Sequence, residues 1–275
     1  MSQPSRFTIF WRTVRGRAYP RIIGLQREKS WFFFDVFLPL LQVAAYVYIY
    51  RVIEAPTEFV GFVVLGGAMT AYWMNIMWNM ASQFYWEKET GNLELYIIAP
   101  TSRMAILLGM AIGGIVATTV RASVVILVGL LIFRVPMTVT NVPVFAGVFV
   151  TTMVALYGLG MLLSSLFLLF GREAWHMSEL LREPIFLVSG FYFPVRALGF
   201  AIAAAASIVP ITLGLDAMRQ LMFPEMLSHL RFLSPHVELA LLTGSAVLFV
   251  TLAQRSLAFM EAYARREGRL TVRGQ

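Results

Sequence analysis

Cysteine is absent from this 275-residue chain, which excludes disulfide bonds, thiol nucleophiles and cysteine-ligated metal sites. Its histidines, His176, His229 and His236, lack the HExxH-type spacing of a zinc site, so the sequence predicts no metal centre. Charged residues are scarce, at 13% against 59% hydrophobic residues, and the mean hydropathy is +0.73. A soluble globular domain carries roughly 25% charged residues, so this composition indicates an integral membrane protein.

Nucleotide-binding and hydrolase motifs are also missing. The sequence has no GxxxxGK[ST] loop, no Rossmann glycine fingerprint after a strand and no GxSxG elbow. We therefore expect that the chain is not an enzyme, binds no cofactor of its own and leaves any ATP hydrolysis to a partner. The net charge of +7 comes largely from arginines beside apolar segments, which favours membrane topology over nucleic-acid binding.

Long apolar runs dominate what is present. A membrane-spanning helix needs about 20 mostly apolar residues, and six stretches qualify, namely 31–50, 59–82, 104–133, 143–170, 174–195 and 237–257. We predict an all-α polytopic membrane protein with a six-span transmembrane domain over residues 31–258 and a basic tail over 259–275. Residues 1–30 hold seven Lys/Arg and no isolated apolar core, which predicts an uncleaved cytoplasmic segment rather than a signal peptide.

Residues 197–213 form a shorter apolar segment, rich in alanine and bracketed by Pro194 and Pro210. Counted as a seventh span, this segment would place the basic C-terminus outside the cell. With six spans both termini are cytoplasmic, and 16 Lys/Arg lie inside against five outside, with Arg121 within span 3. The positive-inside rule favours six spans, and residues 197–213 are then predicted to be a re-entrant helical hairpin in the outer leaflet, with an apolar surface loop as the alternative.

The N-terminal segment has an amphipathic pattern. Apolar residues recur at helical spacing with arginines between them; the two sets are Phe7, Phe10, Trp11, Val14 and Ala18, and Arg12, Arg15 and Arg17. We predict an interfacial helix with its aromatics among the lipid headgroups and its arginines on anionic lipid. Pro20 and Gly24 are expected to end or bend it. A frayed basic tail is the alternative.

A charged, glycine-centred segment interrupts the apolar pattern at residues 87–103. Its charges cannot remain in hydrocarbon, whereas its leucines and isoleucines are too apolar for a plain solvated loop. A short amphipathic helix on the membrane surface, with one face open to a partner, accounts for both properties. A solvated loop that keeps the flanking hairpin out of lipid is the alternative.

Together these features resemble the permease subunits of type 2 ATP-binding-cassette (ABC) exporters, which move drugs, lipids and polysaccharides. The resemblance covers Glu-x-Glu-x-Gly-x-Leu-Glu at residues 87–94, followed by Pro-Thr-Ser-Arg at 100–103. It also covers SGFYFPV at 189–195 and PITLGLDAMRQLMF at 210–223, where this chain has Ile-Thr-Leu-Gly in place of the family's Leu-Thr-Tyr. The order of these motifs within a six-span frame is more specific than any one of them.

The resemblance implies that residues 87–103 are a coupling helix in a groove of a separate ATP-binding subunit, which carries ATP and Mg. The residues assigned to this contact are Glu87, Glu89, Gly91, Leu93, Glu94, Tyr96 and Arg103. The glutamates would pair with basic residues of the ATPase, Leu93 and Tyr96 would fill a pocket, and Gly91 permits a tight turn. The resemblance also implies a dimer, with a second copy or a sister permease, in the inner or plasma membrane.

A substrate pathway between two permease halves is expected on spans 1, 2 and 5, again from the resemblance. On span 2, Asn75, Asn79 and Gln83 are spaced i, i+4 and i+8, which predicts one amide stripe on a helix. The other pathway residues are Gln42 and Tyr46 on span 1 and Phe186, Ser189 and Phe191 on span 5. Asn and Gln side chains also simply join helices in membranes, and both roles stay open.

Two charges fall inside predicted spans. Arg121 lies about 24 Å into span 3 at 1.5 Å per residue, so it is expected near the outer leaflet, where Asp216 or Glu225 could pair with it. Asp35 is expected near the inner interface, with Arg103 or Arg182 as its partner. Structural pairing is favoured for both charges over transport chemistry.

The resulting hypothesis is a permease that exports a drug-like molecule or lipid when its ATPase partners bind ATP. Export of a lipid-linked polysaccharide by the same architecture is the alternative. From other classes, a secondary transporter would need mid-membrane ionisable groups or paired broken helices. A membrane-embedded enzyme would need a polar catalytic cluster, for which only His229, His236 and Glu238 offer a thin candidate.

Overall fold

The computed structural model describes residues 5–27, 29–92, 96, 102–135, 138–170, 173–224 and 231–267, and within these ranges every regular element is helical. The all-α fold class is confirmed. The α-helices are α1 (Arg6–Arg27), α2 (Lys29–Val52), α3 (Glu58–Asn75), α4 (Gln83–Glu89), α5 (Arg103–Phe133), α6 (Val142–Phe170), α7 (Glu173–Val188), α8 (Phe200–Ala206), α9 (Pro210–Met222) and α10 (Pro235–Glu267). A π-helix (Ile76–Ala81) joins α3 to α4, and a 3-10 turn (Val195–Leu198) precedes α8.

Five helical segments of the described chain are long and apolar enough to cross a bilayer, which makes this a multi-pass membrane protein. They are Lys29–Val52, Glu58–Glu87, Arg103–Phe133, Val142–Ser165 and Pro235–Phe259. Five of the six predicted spans correspond to them. The predicted span 174–195 is instead the 16-residue helix α7, because a turn at Ser189–Gly190, with Gly190 at φ +74°, ends it at Val188.

The segment predicted as a re-entrant hairpin is a pair of helices, α8 and α9, bent by 114° at the break between them. Every residue of α9 from Pro210 to Met222 is buried, whereas most residues of α8 are exposed. The second helix of the pair, α9, ends at Met222 rather than at the predicted residue 213. It can extend this far because its later polar residues, Arg219 and Gln220, form hydrogen bonds inside the protein. The bent pair fits a re-entrant hairpin and equally fits one broken span.

Helix α3 forms the centre of the fold. Its residues are apolar on all sides, as expected for a helix with neighbours all round, and it packs against α2, α5, α6 and α9. Small residues allow these close approaches. A Cβ added at Gly66 would collide with the backbone carbonyl of Phe191 and the guanidinium of Arg219.

Helix α1 packs lengthwise against the first turns of α5. Val14 and Ala18 are buried there, facing Gly109 and Gly113, where added Cβ atoms would meet the α1 backbone. This helix excludes the frayed-tail alternative. It also continues through Pro20 and Gly24, where we expected an end or a bend; packing against α5 on the preceding turns compensates for the hydrogen bond that proline cannot donate.

The two charges within the spans pair with each other, since Arg121 Nη1 lies 2.8 Å from Asp35 Oδ2. The expected partners of Arg121 on the outer side, and of Asp35 at Arg103 or Arg182, are therefore corrected. Counting residues along α5 could not find this partner, because the count does not show which residues of α2 lie beside Arg121. A direct ion pair lowers the free-energy cost of placing these two charges within apolar membrane-spanning helices.

The close approach at Gly66 gives a stability test. We expect Gly66→Ala to lower the free energy of unfolding by about 1–3 kcal/mol, because the added methyl group overpacks a contact with backbone. Thermal unfolding in detergent or nanodiscs measures the effect. Gly244→Ala, in a helix with nothing within 4 Å of the added Cβ, is the matched control and should be neutral or stabilising by about 0.5–1 kcal/mol. Equal melting temperatures for the two variants would contradict this packing.

Candidate functional site

The most connected polar group at one end of the molecule is the carboxylate of Glu87, on α4. Its side chain is only 7% exposed, and its partner is Arg17 on α1, whose Nη2 donates to Glu87 Oε1. A carboxylate withdrawn from water to this degree needs such a charge-assisted partner. The pair therefore ties the N-terminal helix to the segment that follows span 2.

Three further side chains complete what we call the α1–α4 cluster, which consists of Arg17, Arg21, Gln83, Glu87 and Tyr96. Gln83 Nε2 donates to Glu87 Oε1 at 2.8 Å, and Tyr96 Oη donates to Glu87 Oε2 at 2.9 Å. Arg21 donates to the Gln83 side chain and to the backbone carbonyl of Asn79 at 3.1 Å. Both oxygens of Glu87 are thus occupied within the chain.

Tyr96 brings the segment after Gly91 back onto this cluster. The Arg17 guanidinium lies 5.0 Å from the centre of its ring, a cation–π geometry. Burial raises the pKa of Tyr96 to about 12, so its hydroxyl remains a donor to Glu87 at every physiological pH.

The coupling residues expected from the sequence are distributed as follows. Glu87 and Tyr96 belong to the α1–α4 cluster, Glu89 is exposed at the end of α4, and Arg103 is half-buried at the first residue of α5. Gly91 adopts φ +77° in a turn directly after α4, a conformation that favours glycine. Leu93 and Glu94 lie outside the described residues.

The expected amide stripe on span 2 does not form. The π-helix between Asn75 and Gln83 adds residues per turn and so rotates the following side chains out of α-helical register. Asn75 is buried and accepts a 2.9 Å hydrogen bond from Tyr157 of α6, Asn79 is exposed, and Gln83 faces α1. Asn75 therefore joins two helices, which is the alternative that the sequence left open.

The pathway residues of spans 1 and 5 do come together, around a residue that we had not singled out. Tyr192 stacks on Tyr46 with ring centres 4.2 Å apart, and its hydroxyl donates to Gln42 at 3.0 Å. Phe186 contacts Tyr192 and stacks on Phe191 at 5.0 Å. We call these five residues the aromatic cluster; its signal in the sequence was the tyrosine within SGFYFPV.

Ser189 and Phe191 are buried in the turn after α7, which Arg219 of α9 fixes in place. The Arg219 guanidinium donates to the carbonyls of Gly190 and Phe191, and at 3.0 Å to that of Phe62 in α3. It also lies 3.3 Å from the centre of the Phe62 ring. In the sequence, Arg219 is one of the five positive charges predicted outside the cell, and its signal was the arginine of the Asp-Ala-Met-Arg stretch at residues 216–219.

Comparison with known proteins agrees with this architecture. A family model described as ABC-2 type transporter matches residues 21–223. That range contains α2 to α9, the π-helix, the Gly91 turn and the aromatic cluster. No curated protein matches the chain.

The Arg17–Glu87 pair can be tested by a double-mutant cycle. We expect Arg17→Ala and Glu87→Gln each to lower the free energy of unfolding by about 1–3 kcal/mol, because each leaves a poorly hydrated charge without its partner. The double variant should cost much less than the sum. Thermal unfolding provides the free energies, and Arg15→Ala, on the exposed face of α1, is the control that should change little. Additive effects would show that the pair does not stabilise the fold.

Proposed function

The chain belongs to the ABC-2 type transporter family, whose members are membrane permeases, and on that premise we propose that it is the transmembrane subunit of an ATP-driven exporter. Energy would come from separate ATP-binding subunits that carry ATP and Mg. The observation that supports this assignment best is the turn at Gly91 directly after span 2, beside a cluster in which Arg17 neutralises Glu87 within the chain. A free loop would not require such a cluster.

The contact with the ATPase is proposed for residues of the 87–103 segment other than Glu87 and Tyr96, which belong to the α1–α4 cluster. Both carboxylate oxygens of Glu87 are bound by side chains of the same chain, so we do not propose Glu87 as a docking charge. It positions the segment instead. Glu89 is exposed and can meet a basic groove, and Glu94 remains a proposed contact by its place in the motif. Leu93 and Arg103 complete the proposed surface, whereas Tyr96 supports it from within.

The α1–α4 cluster suggests how movement of the ATPase would reach the membrane. A push on the segment after Gly91 would act through Tyr96 and Glu87 on Arg17, and α1 lies along α5 by close backbone contact. The same push acts directly on α4 and through the π-helix on α3. Because the helices are close-packed, such a displacement favours a switch between discrete packings rather than gradual bending.

The aromatic cluster is proposed as the outer gate of the pathway. Its rings connect α2 to the turn after α7, and Arg219 fixes that turn to the buried helix α9. Aromatic walls with one amide, from Gln42, suit an amphipathic drug-like molecule or lipid more than a long hydrophilic glycan. Export of a lipid-linked polysaccharide remains the second candidate for the same architecture.

Assembly and orientation complete the proposal. A second copy or sister permease would pack against the exposed aromatic side chains of α2, which include Phe33, Phe37 and Tyr48. The positive-inside rule places α1 and the C-terminal basic tail in the cytoplasm, and hence the chain in an inner or plasma membrane. Lipid would contact α1 through Phe7, Trp11 and Tyr19, whose side chains are exposed.

Purification of the chain from its native membrane in mild detergent tests this proposal. We expect a stoichiometric ATP-binding subunit and vanadate-sensitive ATP hydrolysis in the preparation. A preparation that has neither, repeated in lipid nanodiscs, would contradict the permease assignment and favour a secondary transporter or a membrane-embedded enzyme.

Charge reversal at Glu89 tests the docking surface. We expect Glu89→Arg to reduce substrate-stimulated ATP hydrolysis by at least about tenfold, since one ion pair plus the new repulsion exceeds about 1.4 kcal/mol at an interface. The matched control is Glu54→Arg, an exposed glutamate in the loop between α2 and α3 at the opposite end of the molecule. Wild-type stimulation in the Glu89 variant, with unchanged folding, would exclude this residue from the contact.

A further inference from the structure

Two carboxyl groups lie side by side in the interior, away from the α1–α4 cluster and the aromatic cluster. Asp216 of α9 is 2% exposed and Glu238 of α10 is fully buried. Both share one amide group, because Gln220 Nε2 lies 2.7 Å from Asp216 Oδ2 and 3.4 Å from Glu238 Oε2. Because one nitrogen lies within hydrogen-bond distance of an oxygen of each group, the two carboxyl groups are close neighbours in the interior.

No positive charge of the described structure is available to neutralise both groups. Arg219, one turn from Asp216 on α9, directs its guanidinium to three backbone carbonyls. Arg231 and His236 are exposed beside this region. The part of α6 that packs here, residues 142–152, has no titratable side chain, and neither does residues 60–66 of α3. Arg219 is near enough to Asp216 for its charge to offset that one carboxylate. A second buried carboxylate beside it would have no cation and would be strongly destabilising, so one of the two groups must be neutral.

The environments of the two groups decide which one is neutral. Asp216 Oδ2 accepts hydrogen bonds from Gln220 and from the backbone N–H of Phe232 at 3.1 Å, and such donors stabilise an anion. Glu238 Oε1 is buried without any hydrogen-bond partner, which an anion could not tolerate. The proton therefore belongs on Glu238, whose O–H donates to Asp216.

We propose that Asp216 and Glu238 form a proton-binding site whose single bound proton fastens the buried arm of the α8–α9 hairpin to α10. Release of this proton would leave two facing anions and separate the helices. Since α9 also carries Arg219, loosening α9 would free the turn after α7. The bound proton thus stabilises the packing of this whole region.

A proton fits this site better than a metal cation. The amide nitrogen of Gln220 lies against oxygens of both carboxyl groups, so a donor, with its hydrogens, occupies the place where a cation would need further oxygen ligands. The described residues contain no group of three His, Cys, Asp or Glu side chains that could hold a metal ion. A cation is therefore an outcome to be tested rather than the expected ligand.

The lack of native cysteine makes a clean labelling experiment possible. A single cysteine at Met218→Cys, fully buried on α9, would report separation of α9 from its neighbours, and Ile208→Cys, 71% exposed at the bend, would report thiol chemistry alone. The ratio of the two labelling rates follows the opening equilibrium when reclosing is fast. Each reporter is measured in the full chain in nanodiscs, with Glu238 intact and with Glu238→Gln.

A proton held in the closed state and released in the open state makes opening more favourable as pH rises. Between about pH 6 and pH 8, the normalised opening constant with Glu238 intact should rise about tenfold per pH unit relative to Glu238→Gln, the slope for one proton. His236→Gln, two residues away on the same helix, should keep the full slope. Parallel pH profiles with and without Glu238 would overturn the proposal, as would loss of the slope in His236→Gln.

Two further measurements test the proposal if Glu238→Gln does not fold, or if the site binds a cation instead of a proton. If Glu238→Gln does not fold, infrared spectroscopy of the unmodified chain should show a protonated carboxyl group at neutral pH that is lost in alkali; its absence at neutral pH would overturn the proposal. If added sodium or calcium at constant pH closes the site, the ligand is a cation and the proton assignment is wrong. Neither result depends on whether the chain exports anything.

Discussion

The need to give buried charged side chains partners within the protein shapes much of this structure, and Arg219 shows it most clearly. Its side chain is buried, and its two terminal nitrogens donate to carbonyls of Gly190, Phe191 and Phe62. In hydrocarbon no water could replace those bonds. The end of α7 and the close approach at Gly66 both serve that arrangement, because the turn after α7 brings two carbonyls to this arginine and Gly66 leaves room for its guanidinium.

The same requirement has different consequences at the two ends of the molecule. Around Glu87 the charges balance as a pair, and Arg17 keeps 28% of its side chain exposed, so water can moderate any change there. Around Asp216 and Glu238 the charges do not balance and water is excluded. The Arg17–Glu87 pair can therefore adjust gradually to a partner. Asp216 and Glu238 have only two stable arrangements, joined through a shared proton or separated from each other.

Hydropathy predicts much of this fold, because the length of an apolar run is a property of the local sequence. Five of the spans and the bent segment after Pro194 follow from apolar length and from proline and alanine content. Pairings between distant residues were not accessible in this way. The pairs Arg121 with Asp35 and Arg17 with Glu87 depend on how separate helices pack against one another, which a count along one span cannot detect.

The π-helix in span 2 explains why residue spacing alone could not predict which way the three amide side chains point. Spacing of four residues placed Asn75, Asn79 and Gln83 on one face only if the helix stayed regular, and an irregular turn has no reliable sequence signature. The irregularity has a structural consequence of its own. It turns Asn75 toward Tyr157 in the membrane interior and Gln83 toward Arg21 of α1, so a single span can satisfy polar groups on two different neighbours.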